Sequence, residues 1–518
     1  MGMQYAYMKI NHMTVIGEII KRAIHLKDAL TFNTDPAKEQ LRVLFQLLDH
    51  AKLTAFGKKY EFSEVLAHHD IIEAFQQRVP IYDYNKLYEE WWHYLLEGHQ
   101  NVTWPGGQQY FALSSGTTSN SKYIPVTDDM LEAIRKSGIQ QVLSLKNFNL
   151  PAEFFEKQIL MLGSSTNLEQ KDDHQEGEIS GISAGNIPFW FKRFYKPGNE
   201  IASIENWDQK IELIARNAPQ WDIGSITGIP SWTELMLKEV IAFNKVRTIH
   251  EIWPNLRVYT SGGVAFEPYR KGFEKLLDVP LVYIDTYLAS EGYLATQKRP
   301  DAGMALIVDN GIFFEFVPFD EKNVDADGSV KQDAEVLTFS DVKEGENYIL
   351  LVSTVAGAWR YMIGDTIMFT DKEKAEIKIT GRTKHYLNVV GEQLSVYQMN
   401  EAMQLLEKKF NLAIKEFTVA ALVDADTYKN RWLIGAEVTA VDAVEIADYL
   451  DGQLCSLNKN YHVARNKALK SVEVKIIPID HFYQWSEQTK KRGGQVKIPR
   501  VMKQDDFLAF ENFLNGLR

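Results

Sequence analysis

Apolar residues near the start of the chain recur at helical spacing. In the segment 36–52 they fall on one face of a helix, at Leu41, Leu44, Leu47, Leu48 and Ala51. Asp35 is placed to cap this helix, and Pro36 would occupy its first turn, where a missing N–H costs nothing. A similar pattern over 12–30 predicts a second amphipathic helix.

The middle of the chain alternates between strand and helix patterns. Short apolar runs predict buried strands at 158–162, 256–261 and 282–287. Helical spacing returns twice between 205 and 245, interrupted by a glycine-containing break over 224–230. This alternation predicts mixed or parallel sheets covered by helices. Because ligands bind at the carboxyl ends of such strands, we expect the turns at 163, 261 and 288 to share one rim.

The second half of the chain predicts two further units. Short strands over 304–370, with turns at Asn310-Gly311 and Asp327-Gly328, predict an antiparallel barrel or meander. A compact α+β pattern follows, with helices at 396–410 and 442–457 and strands at 416–423, 431–438 and 472–479. We therefore expect an α/β fold. Its large N-terminal domain would be built of helix-covered sheets with a small barrel-like part. The expected units are a large domain over 1–383, a hinge over 384–395 and a small mobile domain over 396–518.

Composition excludes several classes of partner. The 518 residues include 57 Lys and Arg against 69 Asp and Glu, a net charge of −12 that argues against a nucleic-acid or anionic-membrane partner. An anionic ligand in a local basic pocket remains compatible with this charge. The single cysteine, Cys455, fits a reducing compartment. The sequence has no secretory signal pattern and no apolar run approaching ~18 residues, so a cytoplasmic protein is expected.

The segment 114–122 carries the most informative polar pattern. It reads Ser-Ser-Gly-Thr-Thr-Ser-Asn-Ser-Lys between two apolar runs, which predicts a strand, a polar loop and a second strand. Hydroxyl groups, a glycine and a lysine are the parts of a polyphosphate cradle. The loop is not of the Walker type, because the spacing G-x-x-x-x-G-K-S/T is absent. A solvated Ser/Thr-rich loop is the alternative interpretation of the segment alone.

Other polar turns extend this hypothesis to nucleotide chemistry. Glu291, at a predicted strand end, can hold Mg²⁺ together with phosphate oxygens. Asp365 can accept hydrogen bonds from both ribose hydroxyls, and a lysine on a mobile domain can neutralise charge developing on a phosphate. The motifs H-E-x-x-H, C-x-x-C and G-x-G-x-x-G are absent, which argues against a dedicated zinc site and a dinucleotide fold.

Four segments, in order, carry a family resemblance. Ser114–Lys122 resembles the phosphate loop of the adenylate-forming superfamily, which includes acyl-CoA synthetases and luciferase. With Tyr287, Ser290 and Glu291, then 361–365, then 495–500, the chain resembles the Gretchen Hagen family of acyl-acid amido synthetases, known from auxin-responsive plant proteins. The resemblance implies a luciferase-like fold in which a small domain swings between two half-reactions. An acid would first attack the α-phosphate of MgATP to give acyl-adenylate and pyrophosphate. An amine, usually of an amino acid, would then take the acyl group and release AMP.

The resemblance also implies a role for individual residues. Lys497 would reach the α-phosphate, Glu291 would bind Mg²⁺, and Asp365 would bind ribose. Arg382 resembles the arginine near the hinge. The nucleotide site would further contain Ser114, Ser115, Gly116, Thr117, Thr118, Lys122, Ser261, Gly262, Gly263, Thr286, Tyr287 and Ser290.

Two positions depart from the family pattern and keep alternatives open. Met362 stands where the family has arginine, although Arg360 lies two residues earlier. Plant members of the family often have a lysine near position 393, where this chain has Gln393. One alternative is an acyl-CoA or acyl-transfer ligase that uses the same adenylate. The other is a nucleotide- or acyl-binding homologue without turnover. The acid and the amine are not identified by the sequence. Its candidate pocket aromatics, more typical of core than of substrate contacts, are Phe189, Trp190 and Trp232.

Overall fold

The computed structural model describes the greater part of the chain. The described residues are 35–114, 122–187, 191–263, 266–325, 328–383, 394, 396–424, 427–436, 442–458, 461–462, 465, 469–489 and 498–517. The predicted helix over 12–30 and most of the predicted hinge lie outside these residues.

The strands of the described residues belong to three sheets. They are β1 (Tyr110–Ser114), β2 (Lys122–Val126), β3 (Gln158–Leu162), β4 (Glu169–Gln170), β5 (Gln175–Gly177), β6 (Tyr195–Lys196), β7 (Ile223–Gly228), β8 (Val258–Gly262), β9 (Val282–Ala289), β10 (Gly292–Gln297), β11 (Met304–Leu306), β12 (Ile312–Pro318), β13 (Asn347–Thr354), β14 (Tyr361–Asp371), β15 (Glu376–Arg382), β16 (Glu416–Asp424), β17 (Thr427–Gly435) and β18 (Leu469–Ile477).

Helices cover these sheets. The described α-helices are α1 (Pro36–Ala51), α2 (Ala55–Lys59), α3 (Phe62–Ala67), α4 (Ile71–Arg78), α5 (Tyr84–Leu87), α6 (His93–Leu96), α7 (Asp128–Ser144), α8 (Ile179–Gly185), α9 (Asn199–Ala202), α10 (Trp207–Asn217), α11 (Pro230–Asn244), α12 (Arg270–Glu274), α13 (Val396–Phe410), α14 (Ala443–Leu457), α15 (Ile479–Thr489) and α16 (Gln504–Gly516). Within the described part of the chain, none of them has the length and apolarity that crossing a bilayer requires.

The helix predicted over 36–52 is confirmed as α1. The Asp35 carboxylate accepts the N–H of Ala37, as the capping prediction required. Leu44, Leu47, Leu48 and Ala51 of the predicted apolar face are buried, whereas Leu41 is 42% exposed and Val43 is buried instead. The buried Gln40 amide donates to the carbonyls of Val308 and Ile312 at 2.8 and 2.9 Å. These bonds satisfy a buried polar group and tie α1 to the edge strand β12.

The central sheet has eleven strands and changes direction along its width. Its order is β12-β13-β14-β15-β11-β10-β9-β8-β7-β3-β6. Strands β6, β3, β7, β8 and β9 run parallel, and from β10 onward the neighbours pair antiparallel. The antiparallel meander expected over 304–370 therefore continues the parallel half. The two end strands are not neighbours in the sheet order of the described residues, so this part is open rather than a closed barrel.

The predicted break at 224–230 is mostly strand β7. Its glycines serve close packing inside the sheet instead of a turn. A Cβ at Gly224 would lie 2.6 Å from the Lys157 Cβ, and one at Gly228 would lie 2.8 Å from Thr233 Oγ1. In sequence patterns glycine usually indicates a turn. Here glycine is present because neighbouring side chains leave no room for a Cβ.

A second sheet presents the polar loop. Strands β1 and β2 pair antiparallel, from Tyr110 with Val126 to Ser114 with Lys122, and β5 extends the sheet on the other side of β1. The two strands predicted around the cradle are confirmed. The residues between them, 115–121, lie outside the described part of the chain.

The C-terminal segment forms an α+β unit around its own core. The predicted helices and strands are present as α13, β16, β17, α14 and β18, with β16 and β17 antiparallel and β17 and β18 parallel. Residues 500–502 add a further edge to β16, since Val419 N donates to the Arg500 carbonyl and Met502 N donates to the Val419 carbonyl, each at 2.9 Å. The end of the chain is thereby anchored to the start of this unit.

Candidate active site

The carboxyl ends of the parallel strands form one rim, as predicted. The register pairs Leu162 of β3 with Gly228 of β7, and Gly228 with Ser261 of β8. Gly262 of β8 in turn pairs with Thr286 of β9. Polar groups that are distant in sequence are therefore brought to the same edge of the sheet.

This rim opens into a cavity of roughly 3020 Å³. Pockets for single small molecules are typically ~300–1,000 Å³, so this cavity can hold a nucleotide together with further substrates. It lies between the large and small units, because its walls include Asn400 and Gln404 of α13 as well as Ile498, Pro499 and Arg500. The predicted residues that line it are Lys122, Ser261, Gly262, Gly263, Thr286, Tyr287, Ser290, Glu291, Asp365 and Arg382.

Asp365 forms the centre of a hydrogen-bonded group on β14. The hydroxyl of Tyr287 donates to Asp365 Oδ2, and Arg382 Nε donates to Oδ1 at 2.6 Å. Asp365 and Tyr287 are both buried. Burial, reinforced by the Asp365 charge, raises the pKa of Tyr287 well above its usual value, so this phenol remains a hydrogen-bond donor. Asp365 is the dominant cause of the raised pKa of the Arg382 guanidinium.

Gly364 sets the backbone that presents Asp365. Its φ of +92° lies in the left-handed region that side chains disfavour. The Gly364 carbonyl also accepts the N–H of Thr383 at 2.8 Å, which links β14 to the end of β15. Glycine at this position therefore allows the turn of the strand that directs the carboxylate into the cavity.

Glu291 lies in the tightest connection of the sheet. Strand β9 ends at Ala289 and β10 begins at Gly292, with Ser290 and Glu291 as the two residues between them. The carboxylate is buried, which raises its pKa, and the positive charge of Lys122 acts in the opposite direction. Burial and the neighbouring Glu291 also raise the pKa of the Tyr361 phenol well above its ordinary value.

The described residues contain no cluster of three or more His, Cys, Asp or Glu side chains that could hold a metal ion. Glu291 supplies one buried carboxylate at the cavity, and one or two protein carboxylates together with phosphate oxygens and water are the ligands that Mg²⁺ takes beside nucleotides.

The end of β8 forms a narrow glycine turn. Thr286 Oγ1 donates to the Ser261 carbonyl at 2.8 Å. A Cβ on Gly262 would lie 3.1 Å from the same Thr286 Oγ1. Gly263 has a φ of +83°. Gly262 and Gly263 line the cavity and carry no side chain, so these two positions leave space for close approach by a flat ring.

Lys122 begins β2 and lines the cavity. Its ammonium lies 5.2 Å from the centre of the Tyr84 ring, and the Tyr84 hydroxyl accepts the N–H of Tyr123 at 2.9 Å. Tyr84 is a cavity residue that the sequence did not indicate, because it lies on the separate helix α5. The backbone of Ser114 is described, whereas Ser115, Gly116, Thr117, Thr118 and Lys497 lie outside the described residues.

Arg360 is not placed to replace the family arginine at Met362. Its guanidinium is buried against Glu315, with Nε 3.1 Å from both carboxylate oxygens, and it donates to the carbonyls of Gln76 and Val79. Met362 is buried against an apolar cluster that includes Val317 and Leu351, although it also borders the cavity. Position 362 therefore contributes packing. Gln393 lies outside the described residues.

Two other sequence features are structural. Gly181–Gly185 spells G-x-S-x-G, but it lies within helix α8 and not at a strand-to-helix turn, so it is not a nucleophile elbow. Trp232 packs against Trp207 with ring centres 4.6 Å apart and is not among the cavity-lining residues of the described chain. Phe189 and Trp190 lie outside the described residues.

Comparison with solved structures identifies the class of fold. A GH3.15 acyl acid amido synthetase superposes with a TM-score of 0.77 at 16% identity, covering 95% of this chain and 96% of that one. A 2-hydroxyisobutyryl-CoA ligase in its postadenylation state gives a TM-score of 0.56 at 12% identity, covering 93% and 92%. The fold is that of the adenylate-forming ligases.

Family models identify the particular group. Models of the GH3 family match residues 25–210 and 136–280 as its N-terminal domain, 305–382 as its central domain and 397–506 as its C-terminal domain. The chain belongs to the GH3 family.

Curated relatives match over part of the chain. An indole-3-acetic acid-amido synthetase of Arabidopsis thaliana is 26% identical over 284 residues, which is 49% of this chain and 45% of the relative. A jasmonoyl-L-amino acid synthetase of Nicotiana attenuata is 26% identical over 334 residues, which is 58% of this chain and 56% of the relative. The chain thus spans about half the length of the curated relatives it matches.

Proposed function

We propose that this protein is an ATP-dependent acyl-acid amido synthetase. It would adenylate a carboxylic acid and transfer the acyl group to an amine, with an amino acid as the expected acceptor. One observation carries the proposal: Lys122, Glu291, Asp365 and the Ser261–Gly263 turn line a single cavity although they come from separate strands and two different sheets.

Adenylation requires a carboxylate oxygen to attack the α-phosphorus while the bond to the pyrophosphate oxygen breaks. Asp365 would accept the ribose hydroxyls, and the Ser261–Gly263 turn with Thr286 and Tyr287 would border the adenine. Residues 114–118 and Lys122 would hold the phosphates. Lys497 would neutralise charge at the α-phosphate; its sequence neighbour Ile498 lines the cavity.

Glu291 is the residue that would hold Mg²⁺. When bound, the ion would neutralise charge on the phosphate oxygens. In this scheme Glu291 is a catalytic residue for adenylation as well as the metal ligand, and its buried carboxylate meets the cavity at the turn between β9 and β10. Titration of ATP in the presence and absence of Mg²⁺, comparing the wild type with Glu291→Gln, gives a readout that does not depend on turnover.

In the second half-reaction the amine nitrogen would attack the acyl carbon, the bond to the AMP oxygen would break, and the ammonium formed would lose a proton. The division into domains over 1–383 and 396–518 with a hinge at 384–395 belongs to this proposal, because the small domain must reorient between the steps. A cytoplasmic location also belongs to it, consistent with the lone Cys455.

The test is an acid-dependent exchange of pyrophosphate into ATP, followed by product analysis. The acid panel includes indole-3-acetic acid, jasmonic acid and shorter aryl and alkyl acids. We expect exchange with at least one acid and an amide product with an amino acid. A thioester with CoA in place of the amide would favour an acyl-CoA ligase. ATP binding without exchange across the panel would favour a homologue that lacks turnover.

A further inference from the structure

A buried polar contact joins the large and small domains at Glu416. The hydroxyl of Tyr269, beside α12, donates to Glu416 Oε1 at the start of β16. Arg500 Nη1 donates to the other carboxylate oxygen at 2.6 Å and to the Phe417 carbonyl at 3.2 Å. Glu416 is 6% exposed and Tyr269 is 2% exposed, so the contact is shielded from water.

The neighbouring residue Lys415 makes a second contact between the domains. Its ammonium binds Glu234 Oε1 on α11, and Lys238 Nζ lies 2.9 Å from the same oxygen. Gly272 of α12 leaves room for this carboxylate, because a Cβ there would lie 2.7 Å from Glu234 Oε1. Lys415, which precedes β16, and Glu416, its first residue, thus bind two different elements of the large domain.

Arg500 connects this contact to the wall of the cavity. Its guanidinium lies 4.5 Å from the centre of the Phe417 ring, and its backbone pairs with Val419 of β16. Ile498, Pro499 and Arg500 line the cavity beside Glu416 and Tyr269. A displacement of Glu416 relative to Tyr269 would therefore displace this part of the wall.

These contacts are specific to one arrangement of the domains. Burial, followed by the Glu416 charge, raises the pKa of Tyr269 well above its usual value, so the phenol keeps its proton and donates. If the small domain moved away, Glu416 would lose the Tyr269 donor and Glu234 would lose the Lys415 ammonium. Arg500 would stay with Glu416 and Lys238 with Glu234, so separation would break one hydrogen bond to a charged group and one ion pair, which favours the paired arrangement over its neighbours.

We propose that Glu416 is a positioning residue that docks the small domain onto the large domain in the orientation where residues 498–500 close the cavity. Its effect on catalysis rests on the proposed function. In that scheme this orientation serves adenylation, and the contact must break before the small domain reorients for the transfer step.

A distance measurement tests the docking without substrate. Spin labels are placed at two exposed helix positions, with Ala242→Cys on α11 and Asp448→Cys on α14, in a Cys455→Ser background. Pulsed electron paramagnetic resonance then gives the distribution of distances between the two labels, one on each domain. We expect one narrow distribution in the parent, and a broader or second one after Glu416→Gln or Tyr269→Phe.

Matched controls separate docking from general loosening. Tyr348→Phe removes a buried phenol within the large domain, and Glu473→Gln removes a carboxylate that pairs with Arg431 within the small domain. Both should leave the distribution unchanged. An unchanged distribution in Glu416→Gln and Tyr269→Phe would overturn the proposal, as would equal broadening in the controls.

The half-reactions give the second readout. With the acid that supports exchange in the wild type, Glu416→Gln should lower pyrophosphate exchange about tenfold or more, since small misplacements of catalytic groups cost up to about 10²-fold. Aminolysis of preformed acyl-adenylate should change less than about threefold. Equal losses in both steps would overturn the assignment to adenylation. Absence of exchange in the wild type would refute the proposed function and leave the distance result standing.

Discussion

Asp365 and Arg382 face each other across the β14–β15 ladder, with Arg382 Nε 2.6 Å from Asp365 Oδ1. The other oxygen of the carboxylate accepts the Tyr287 hydroxyl. Both oxygens already have donors in the protein, so the ribose hydroxyls of a nucleotide would share or displace them. Each carboxylate oxygen has two lone pairs, which makes sharing feasible.

Asp365→Asn should therefore weaken nucleotide binding. The amide keeps the shape but loses the charge, and its nitrogen donates where the site needs an acceptor. We expect AMP affinity to fall by about 2 kcal/mol, the range for hydrogen bonds to charged groups. Calorimetric titration with AMP measures it. Asp371→Asn, on the same strand but paired with Lys374, is the control and should bind AMP normally. Equal affinity in both variants would refute the assignment of Asp365.

Glu291→Gln should stabilise the fold while it removes activity. Burial raises the folded-state pKa of Glu291 above its ordinary value of 4.5, so the native state holds this proton more tightly than the unfolded chain. The group therefore lowers stability as the pH rises from 4.5 through the raised folded-state pKa. Above that window we expect the variant to gain about 2–4 °C in Tm, the shift that ~1 kcal/mol gives in a large domain.

Thermal unfolding between pH 4.5 and 8 checks this sign. The gain should shrink toward pH 4.5, where Glu291 is increasingly protonated in both states. Asp371→Asn should instead lower Tm by an amount that stays constant over this pH range. The hydrogen bond from Lys374 lowers the Asp371 pKa, so its carboxylate stabilises the fold above the ordinary value of 3.8. A lower Tm for Glu291→Gln at neutral pH would contradict the inferred cost of burying this charge.

Lys497→Ala should reduce adenylation more than amide formation. A lysine that stabilises charge developing on the α-phosphate contributes ~2.7–4 kcal/mol, or about 10²–10³ in rate. Pyrophosphate exchange measures the first step, and aminolysis of preformed acyl-adenylate measures the second. Lys470→Ala, an exposed lysine of the same domain, should change neither rate. A comparable loss in aminolysis would place Lys497 elsewhere in the mechanism.

Arg360→Met should destabilise the protein without a specific effect on catalysis. It leaves Glu315, which is 0% exposed, as a buried charge without its guanidinium partner. Breaking such a pair costs about 3–5 kcal/mol, whereas replacing both partners with apolar residues costs much less. Urea unfolding should show recovery in the double variant Arg360→Met/Glu315→Leu. If the double variant folds well but has a catalytic defect, Arg360 acts in the active site, and the prediction is wrong.

Gly262→Ala should weaken ATP binding and lower the stability of the fold. The added methyl would lie 3.1 Å from Thr286 Oγ1 at the turn proposed to border the adenine. Overpacking of this kind costs about 1–3 kcal/mol of folding stability, and because the methyl also narrows the space for the ring, we expect the folded variant to bind ATP more weakly. Gly452→Ala, in α14 with open space around it, is the control and should raise Tm slightly. Unchanged ATP affinity would place the adenine away from this turn.

Local patterns predicted most of the elements, because periodicity and capping are local. Asp35 and the apolar face of α1 are examples. The strand at β7 was missed because its glycines pack against Lys157 and Thr233, which no sequence window contains. The rim of turns was predictable since parallel strands end at one edge. Tyr84 beside Lys122 and the Tyr269–Glu416 contact were not, because each joins segments brought together only by tertiary packing.

The two-residue connection at Ser290 and Glu291 restricts how this site can be re-engineered. It lies where the central sheet changes from parallel to antiparallel pairing. One inserted residue would reverse the facing of every side chain in β10 or abolish its ladder. The length of the segment 282–297, which comprises β9, the connection and β10, is therefore fixed. Libraries aimed at new substrates should leave it intact and vary the cavity-lining residues Ser180, Ser183 and Ala184 of α8.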